Sequence, residues 1–145
     1  MTPGRLIIDT SVWSRLRTSA PVTTAMKRLI ASVDPASILM CPPVAAKLGF
    51  SARNGNDHTV LMESLRAFPD CAEAPLSGDV LRIQNALWNA GLVRAIGAMD
   101  AHIAAYAQSN DATVIHLDRD FEHVASIIPQ FKQRWLVPSS ELTGQ

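Results

Sequence analysis

Leu6-Ile7-Ile8 runs straight into Asp9-Thr10-Ser11, and Thr113-Val114-Ile115-His116-Leu117 runs likewise into Asp118-Arg119-Asp120-Phe121. The first is an unbroken apolar run and the second a mostly apolar one that includes His116, and both are closed by polar residues. Unbroken apolar runs, unlike alternating ones, predict strands covered on both faces. Each strand then delivers a carboxylate at its carboxyl end. In a parallel sheet flanked by helices, that edge is where ligands bind.

Outward from these runs the sequence alternates between helix and strand. Thr10 or Ser11 caps a short helix carrying Val12, Trp13 and Leu16. Val22, Ala25, Met26, Leu29 and Ile30 recur at helical spacing over residues 21–32, and Asp34-Pro35 breaks the pattern. Residues 37–41 predict a second strand. Pro42-Pro43 opens a helix to about Ala52, because proline suits a first helical turn. Arg53-Asn54-Gly55-Asn56 predicts a turn. A helix over 58–68 carries Val60, Leu61, Leu65 and Phe68. Another over 77–90 carries Val80, Ile83, Leu87 and Trp88 until Gly91 stops it. A loop with Arg94 leads to Asp100 in the first turn of a helix reaching about Tyr106. A last strand follows Pro129, over about 131–137. The pattern predicts an α/β fold, a three-layer α/β/α sandwich around a short, mostly parallel sheet. Residues 1–137 read as one domain and the polar residues 138–145 as a loose tail.

Composition agrees with one folded domain. Of 145 residues, 48% are apolar and 18% charged, which excludes a disordered chain. Thirteen basic residues balance thirteen acidic ones, so there is no global basic field and any nucleic-acid binding needs a local patch. Arg53, Arg94, Arg119 and Lys47 are candidates for such a phosphate-facing rim. Cys41 and Cys71 are too few for a disulfide framework, lack metal-ligand spacing, and read as buried reduced thiols. No stretch approaches the ~18 apolar residues of a membrane span. The first residues run directly into a strand with no signal-peptide pattern. The expectation is a cytoplasmic protein that does not engage a membrane.

Four acids stand out by position: Asp9 after the first strand, Asp118 and Asp120 after a late one, and Asp100 at a helix start. Each has an ordinary role open to it. Asp9 can belong to a capping turn, Asp100 can face a helix dipole, and Asp118-Arg119-Asp120 can be a turn with a surface ion pair. Gathered at one sheet edge, however, several carboxylates repel one another unless protonated or bridged by a cation. An oxygen-rich site suits Mg²⁺ or Mn²⁺, and such an ion can activate water and clamp a phosphodiester. His116 reads as a core or strand-edge histidine, and His102 and His123 lie at no ligand spacing.

Asp9-Thr10-Ser11-Val12-Trp13, Gly97-Ala98-Met99-Asp100-Ala101-His102-Ile103-Ala104-Ala105 and His116-Leu117-Asp118-Arg119-Asp120-Phe121 together resemble the PIN domain, and more closely the VapC-type toxins of bacterial toxin–antitoxin pairs. The resemblance implies an endoribonuclease that holds one or two Mg²⁺ or Mn²⁺ ions and cuts transfer or ribosomal RNA. Asp9, Asp100 and Asp118 match the family's metal-centre acids, and Asp120 lies close to the same centre. Ser11 matches a small hydroxyl residue beside the first acid. Arg94, a few residues before Asp100, matches a basic position expected near the RNA backbone, and Ser11 and Arg53 are further candidates for RNA contact. The implied partners are a cognate antitoxin, an RNA substrate and a second copy of the chain. Met26, Leu29, Leu61 and Leu65 are the candidates for antitoxin or dimer surfaces.

One position departs from the family. The helix after strand two usually carries a glutamate. Here Cys41-Pro42-Pro43-Val44-Ala45-Ala46-Lys47 places Lys47 there, and no acid lies between Asp34 and Asp57 to replace it. The exchange moves the local charge two units toward positive. An ammonium about 4 Å from a carboxylate is worth roughly 4 kcal/mol at an intermediate dielectric. Lys47 is therefore expected to take part of a metal's electrostatic role and to weaken Mg²⁺ binding, without being able to activate water. Two readings stay open: an impaired nuclease, and a module of the same fold that binds antitoxin or RNA without hydrolysis.

Overall fold

A computed structural model describes residues 4–142. Four parallel strands form one sheet: β1 (Arg5–Ile8), β2 (Ile38–Leu39), β3 (Ala112–His116) and β4 (Lys132–Trp135), in the order β2-β1-β3-β4. The helices are α1 (Thr10–Trp13), α2 (Ala20–Ser32), α3 (Pro42–Phe50), α4 (Gly55–Leu65), α5 (Ser77–Asn89), α6 (Ala98–Ser109) and α7 (Asp120–Ile127). The α/β/α sandwich is the architecture expected.

The central strands are buried on both faces, as their apolar runs require. Leu6, Ile8, Ile38 and Ile115 pack with Val12, Val22, Met26 and Leu29 on one side. Ile7, Leu39 and Val114 pack on the other side with Val44, Leu65, Ile83, Leu87, Ala104 and Phe121, from α3 to α7. Because side chains alternate along a strand, Leu6 and Ile8 face one layer and Ile7 the other. At roughly 25 cal/mol per Å² of apolar surface removed from water, these two layers dominate the folding energy.

The apolar stripes of the early helices are spent inside the chain. Met26 and Leu29 are 3% and 6% exposed on the sheet-facing side of α2, and Leu65 is 9% exposed. These three residues are core, not the partner surface expected of them; Leu61 is half-buried against the same core. Helical spacing reports which face is apolar, and here the sheet claims that face. Large apolar side chains that stay exposed include Ile30 on α2 and Val60 on α4, with Phe50 (93% exposed), Leu76, Leu81, Trp88, Val93 and Met99 in other segments.

Two local expectations change. The polar quartet 53–56 is not a free turn, because the Asn54 side chain accepts from the Asp57 N–H at 2.9 Å and starts α4 at Gly55. In the tight α3–α4 hairpin an added Cβ at Gly49 would lie 2.8 Å from His58 Nε2, so the His58 ring would have to shift. Beyond Pro138, residues Ser139–Leu142 form a 3-10 turn with Leu142 against the core, where a loose tail was expected; residues 143–145 lie outside the described region.

Candidate metal centre

The strand order reverses direction between β1 and β3, with β2 outside one and β4 outside the other. A crevice opens at such a switch point beyond the carboxyl ends of the strands. Ile8 pairs with Ile115, and the Asp9 N–H donates to the Ile115 carbonyl at 2.9 Å. This register sets the Asp9 turn beside the Asp118 turn. Asp100 reaches the same crevice from the first turn of α6, which packs on β3.

Asp9 is 2% exposed. It is itself the N-cap of α1, a role expected of Thr10 or Ser11: its Oδ2 accepts from the Ser11 N–H at 3.0 Å. Its other oxygen, Oδ1, is buried and has no hydrogen-bond partner. An unsatisfied carboxylate oxygen in the interior is costly unless something positive or hydrogen-bonding meets it. Asp100 is 8% exposed. Burial, then the charge of Asp9, raises its pKa to about 7; Lys47 opposes this, and Asp118 and Asp120 add to it. Asp120 is raised as well, first by burial and then by Asp118, against His123 and a hydrogen bond shared with Asp100.

Asp100, Asp118 and Asp120 each offer an oxygen within 4.8 Å of the others. The expected ligand trio was Asp9, Asp100 and Asp118. Geometry brings Asp120 into the close group, because the Asp118 Oδ1 accepts from the Asp120 N–H at 2.9 Å and folds the turn back on itself. Asp9 lies outside this close group, yet its charge is felt by both Asp100 and Asp120. Four hard oxygen donors, one of them buried and orphaned, fit Mg²⁺ or Mn²⁺.

Lys47 is exposed on the last turn of α3. It forms no ion pair within 4.0 Å of any described acid. Its ammonium therefore acts on Asp100 through space, not by the close contact assumed from sequence.

The remaining candidates separate. The Ser11 hydroxyl accepts from the Leu117 N–H at 2.9 Å, so its oxygen braces the two acid-bearing turns against each other. Arg53 pairs with Asp57 at 3.1 Å on the surface. Arg94 is exposed, has no hydrogen-bond or ion-pair partner among the described residues, and adopts a left-handed φ of 61°. A non-glycine residue held there is uncommon and is found at functional loops.

His116 has a larger part than the sequence suggests. It is fully buried, its Nδ1 accepts from the Asp118 N–H at 3.1 Å, and its Nε2 lies 2.5 Å from Gln133 Oε1 on β4. With Nδ1 accepting, Nε2 must carry the proton and donate to Gln133. Burial lowers its pKa, against the Gln133 hydrogen bond, and keeps the ring neutral. The only sequence signal was a polar ring two residues before an acid in an otherwise apolar strand.

A family model described as PIN domain matches residues 6–127. VapC ribonuclease Mb1587 of Mycobacterium bovis is 31% identical over 129 residues, covering 84% of this chain and 92% of that protein. Ribonuclease VapC51 of Mycobacterium tuberculosis is 32% identical over 141 residues, covering 95% and 97%. Among solved structures, VapBC-1 from nontypeable Haemophilus influenzae aligns with a TM-score of 0.68 at 20% identity, over 90% of this chain and 97% of that one. VapBC2 from Rickettsia felis, bound to a DNA fragment from their promoter, aligns with a TM-score of 0.67 at 16% identity, over 90% and 97%.

Proposed function

The chain belongs to the PIN-domain family, and on that premise we propose that it is a divalent-metal-dependent endoribonuclease, the toxin of a VapBC-type pair. The observation that carries this reading is the convergence of Asp100, Asp118 and Asp120 on one crevice, with the orphaned Oδ1 of Asp9 buried beside them. A bound Mg²⁺ or Mn²⁺ supplies Lewis acidity toward water and phosphoryl oxygens. The protein's own groups do the rest. Asp100, Asp118 and Asp120 would hold the ion, with the unpartnered Asp9 Oδ1 as a further oxygen beside them. Without a cation, burial and the surrounding carboxylates raise the affinity of Asp100 and Asp120 for a proton. His116 and Ser11 fix the turns that aim these acids. Arg94, exposed and with no partner among the described residues, would meet an RNA phosphate, and Arg53 is the weaker candidate because it already pairs with Asp57.

Lys47 favours a second reading, a module of the same fold that binds antitoxin or RNA without hydrolysis. Its charge already offsets part of the acid cluster, and an ammonium cannot do a metal's chemistry. In either case the partner is an antitoxin, supported by the VapBC complexes among the similar structures. A homodimer and a cytoplasmic setting complete the proposal. Among the described residues no helix is long and apolar enough to cross a membrane.

The test incubates the full chain with a transfer-RNA pool and Mn²⁺ or Mg²⁺, beside Asp100→Asn and Lys47→Glu. Cleavage that is lost with a chelator and in Asp100→Asn supports the enzyme. Cleavage only in Lys47→Glu supports an enzyme impaired at that position. If neither protein cleaves, the nuclease reading falls and the binding module stands.

A further inference from the structure

Cys41 and Cys71 lie 30 positions apart in the chain and side by side in the fold. Beyond β2 the chain makes one more parallel bridge, Met40 with Asp70. The Met40 N–H donates to the Pro69 carbonyl at 2.8 Å, and the Cys71 N–H donates to the Met40 carbonyl at 2.9 Å. One residue further along both segments stand the cysteines. Cys41 is in extended backbone, and both side chains join the same apolar cluster. Parallel neighbours lie about 4.8 Å apart, inside the ~4.4–6.8 Å that a disulfide spans between Cα atoms.

The two thiols are unequal. Cys41 is 1% exposed and starts α3 as its N-cap residue, whereas Cys71 is half-buried. The neighbouring Cys41 thiol lowers the pKa of Cys71, against burial, and the pairing with Cys71, together with burial, raises that of Cys41. The accessible sulfur is thus the one biased toward thiolate, the reactive form.

We propose that Cys41 and Cys71 are a redox couple, in which a hydroperoxide oxidises Cys71 and Cys41 closes an intrachain disulfide. The Cys71 thiolate attacks the peroxide; the O–O bond breaks, the sulfur becomes a sulfenic acid, and the departing oxygen takes a proton to leave as water or an alcohol. The Cys41 sulfur then attacks the sulfenic sulfur. Its proton leaves with the displaced hydroxide as a second water. The two thiols supply the two electrons that reduce the peroxide. A small thiol reverses the change by exchange.

The bond would tie the start of α3 to the segment at 69–71, closing the base of the α3–α4 hairpin. That hairpin carries Lys47, and Cys41 lies within electrostatic reach of Asp9. The couple thus sits where it can report on the acid site, while its existence does not depend on the site being a nuclease.

The test treats the full reduced chain with hydrogen peroxide in small steps and weighs it intact. The expected product is a monomer lighter by two hydrogens. Its tryptic digest contains residues 29–47 linked to residues 67–82, and dithiothreitol restores the starting mass. Cys71→Ser, at a half-buried position that tolerates a hydroxyl, is expected to form no link and to leave Cys41 unalkylated in the folded protein. Gain of two oxygens on Cys71 without a link overturns the proposal. So does a link between two chains, or two thiols that stay unreacted in the folded chain.

Discussion

The Ser11 hydroxyl accepts a hydrogen bond from the backbone N–H of Leu117 at 2.9 Å, joining residues 106 positions apart. Leu117 is 5% exposed, so its N–H has no water to fall back on. Ser11 lies two residues after Asp9, and Leu117 directly precedes Asp118. The bond therefore holds the two acid-bearing turns in register. Removing a buried bond while leaving its donor costs about 1–3 kcal/mol. Ser11→Ala should lose about 1–2 kcal/mol in urea unfolding, and Ser11→Thr should recover most of it. Equal midpoints for the present chain and Ser11→Ala would show that the hydroxyl braces nothing.

His116 holds the Asp118 turn from the other side. Asparagine carries an acceptor close to where Nδ1 lies in histidine; leucine fills the space without one. His116→Asn should keep the Asp118 N–H satisfied and bind Mn²⁺ as the present chain does. His116→Leu removes the partner of that N–H and of the Gln133 side-chain oxygen Oε1. It should be less stable by about 2–3 kcal/mol and bind Mn²⁺ more weakly. If Leu and Asn behave alike in calorimetric Mn²⁺ titration, the ring serves packing alone.

Asp100 gives the protein a pH signature. Its folded pKa of about 7 lies above the ordinary carboxylate value of 3.8. A carboxyl raised by folding binds more protons folded than unfolded, so stability falls as pH rises through that window. Asparagine cannot ionise. Asp100→Asn should match the present chain well below pH 3.8, become progressively the more stable of the two between 3.8 and about 7, and hold that margin above. The comparison isolates Asp100 from His116, whose lowered pKa works in the opposite sense: its stability is present above the unfolded value of 6.5 and lost as pH falls. Adding Mn²⁺ above pH 7 should narrow or reverse the margin, because only the acid gains ligand stabilisation. Denaturant midpoints across pH, with and without Mn²⁺, decide it; a margin that does not change with pH refutes the assignment.

The same residues show how much was legible in the sequence. Apolar runs located β1 and β3, and strand ends located Asp9 and Asp118, because burial on both faces leaves a compositional trace. Asp100 was legible as an acid in the first turn of a helix. The roles of Ser11 and His116 were not, since each depends on a backbone N–H that only the fold supplies. Periodicity marked Met26, Leu29 and Leu65 as apolar but carried nothing about what would cover them. Asp120 joins Asp100 and Asp118 through one turn's hydrogen bond, a local geometry with no composition of its own. Cys41 and Cys71 become neighbours only through the bridge of Met40 with Asp70.

Lys47 offers the sharpest charge test. It is exposed and forms no ion pair within 4.0 Å of an acid, yet its charge lowers the pKa of Asp100. A through-space effect should scale with charge and weaken with salt. Lys47→Met removes one unit and Lys47→Glu removes two. Solvent screening reduces each step to about 1 kcal/mol against a divalent ion, or roughly fivefold in affinity. Mn²⁺ should then bind in the order Glu over Met over Lys, with the spread shrinking between low and high salt. A Glu variant that gains sharply while Met gains nothing would mean that position 47 acts as a ligand, not as a field. Three equal affinities would mean that α3 holds it too far from the acids to matter, and the impairment assigned to Lys47 would fall with them.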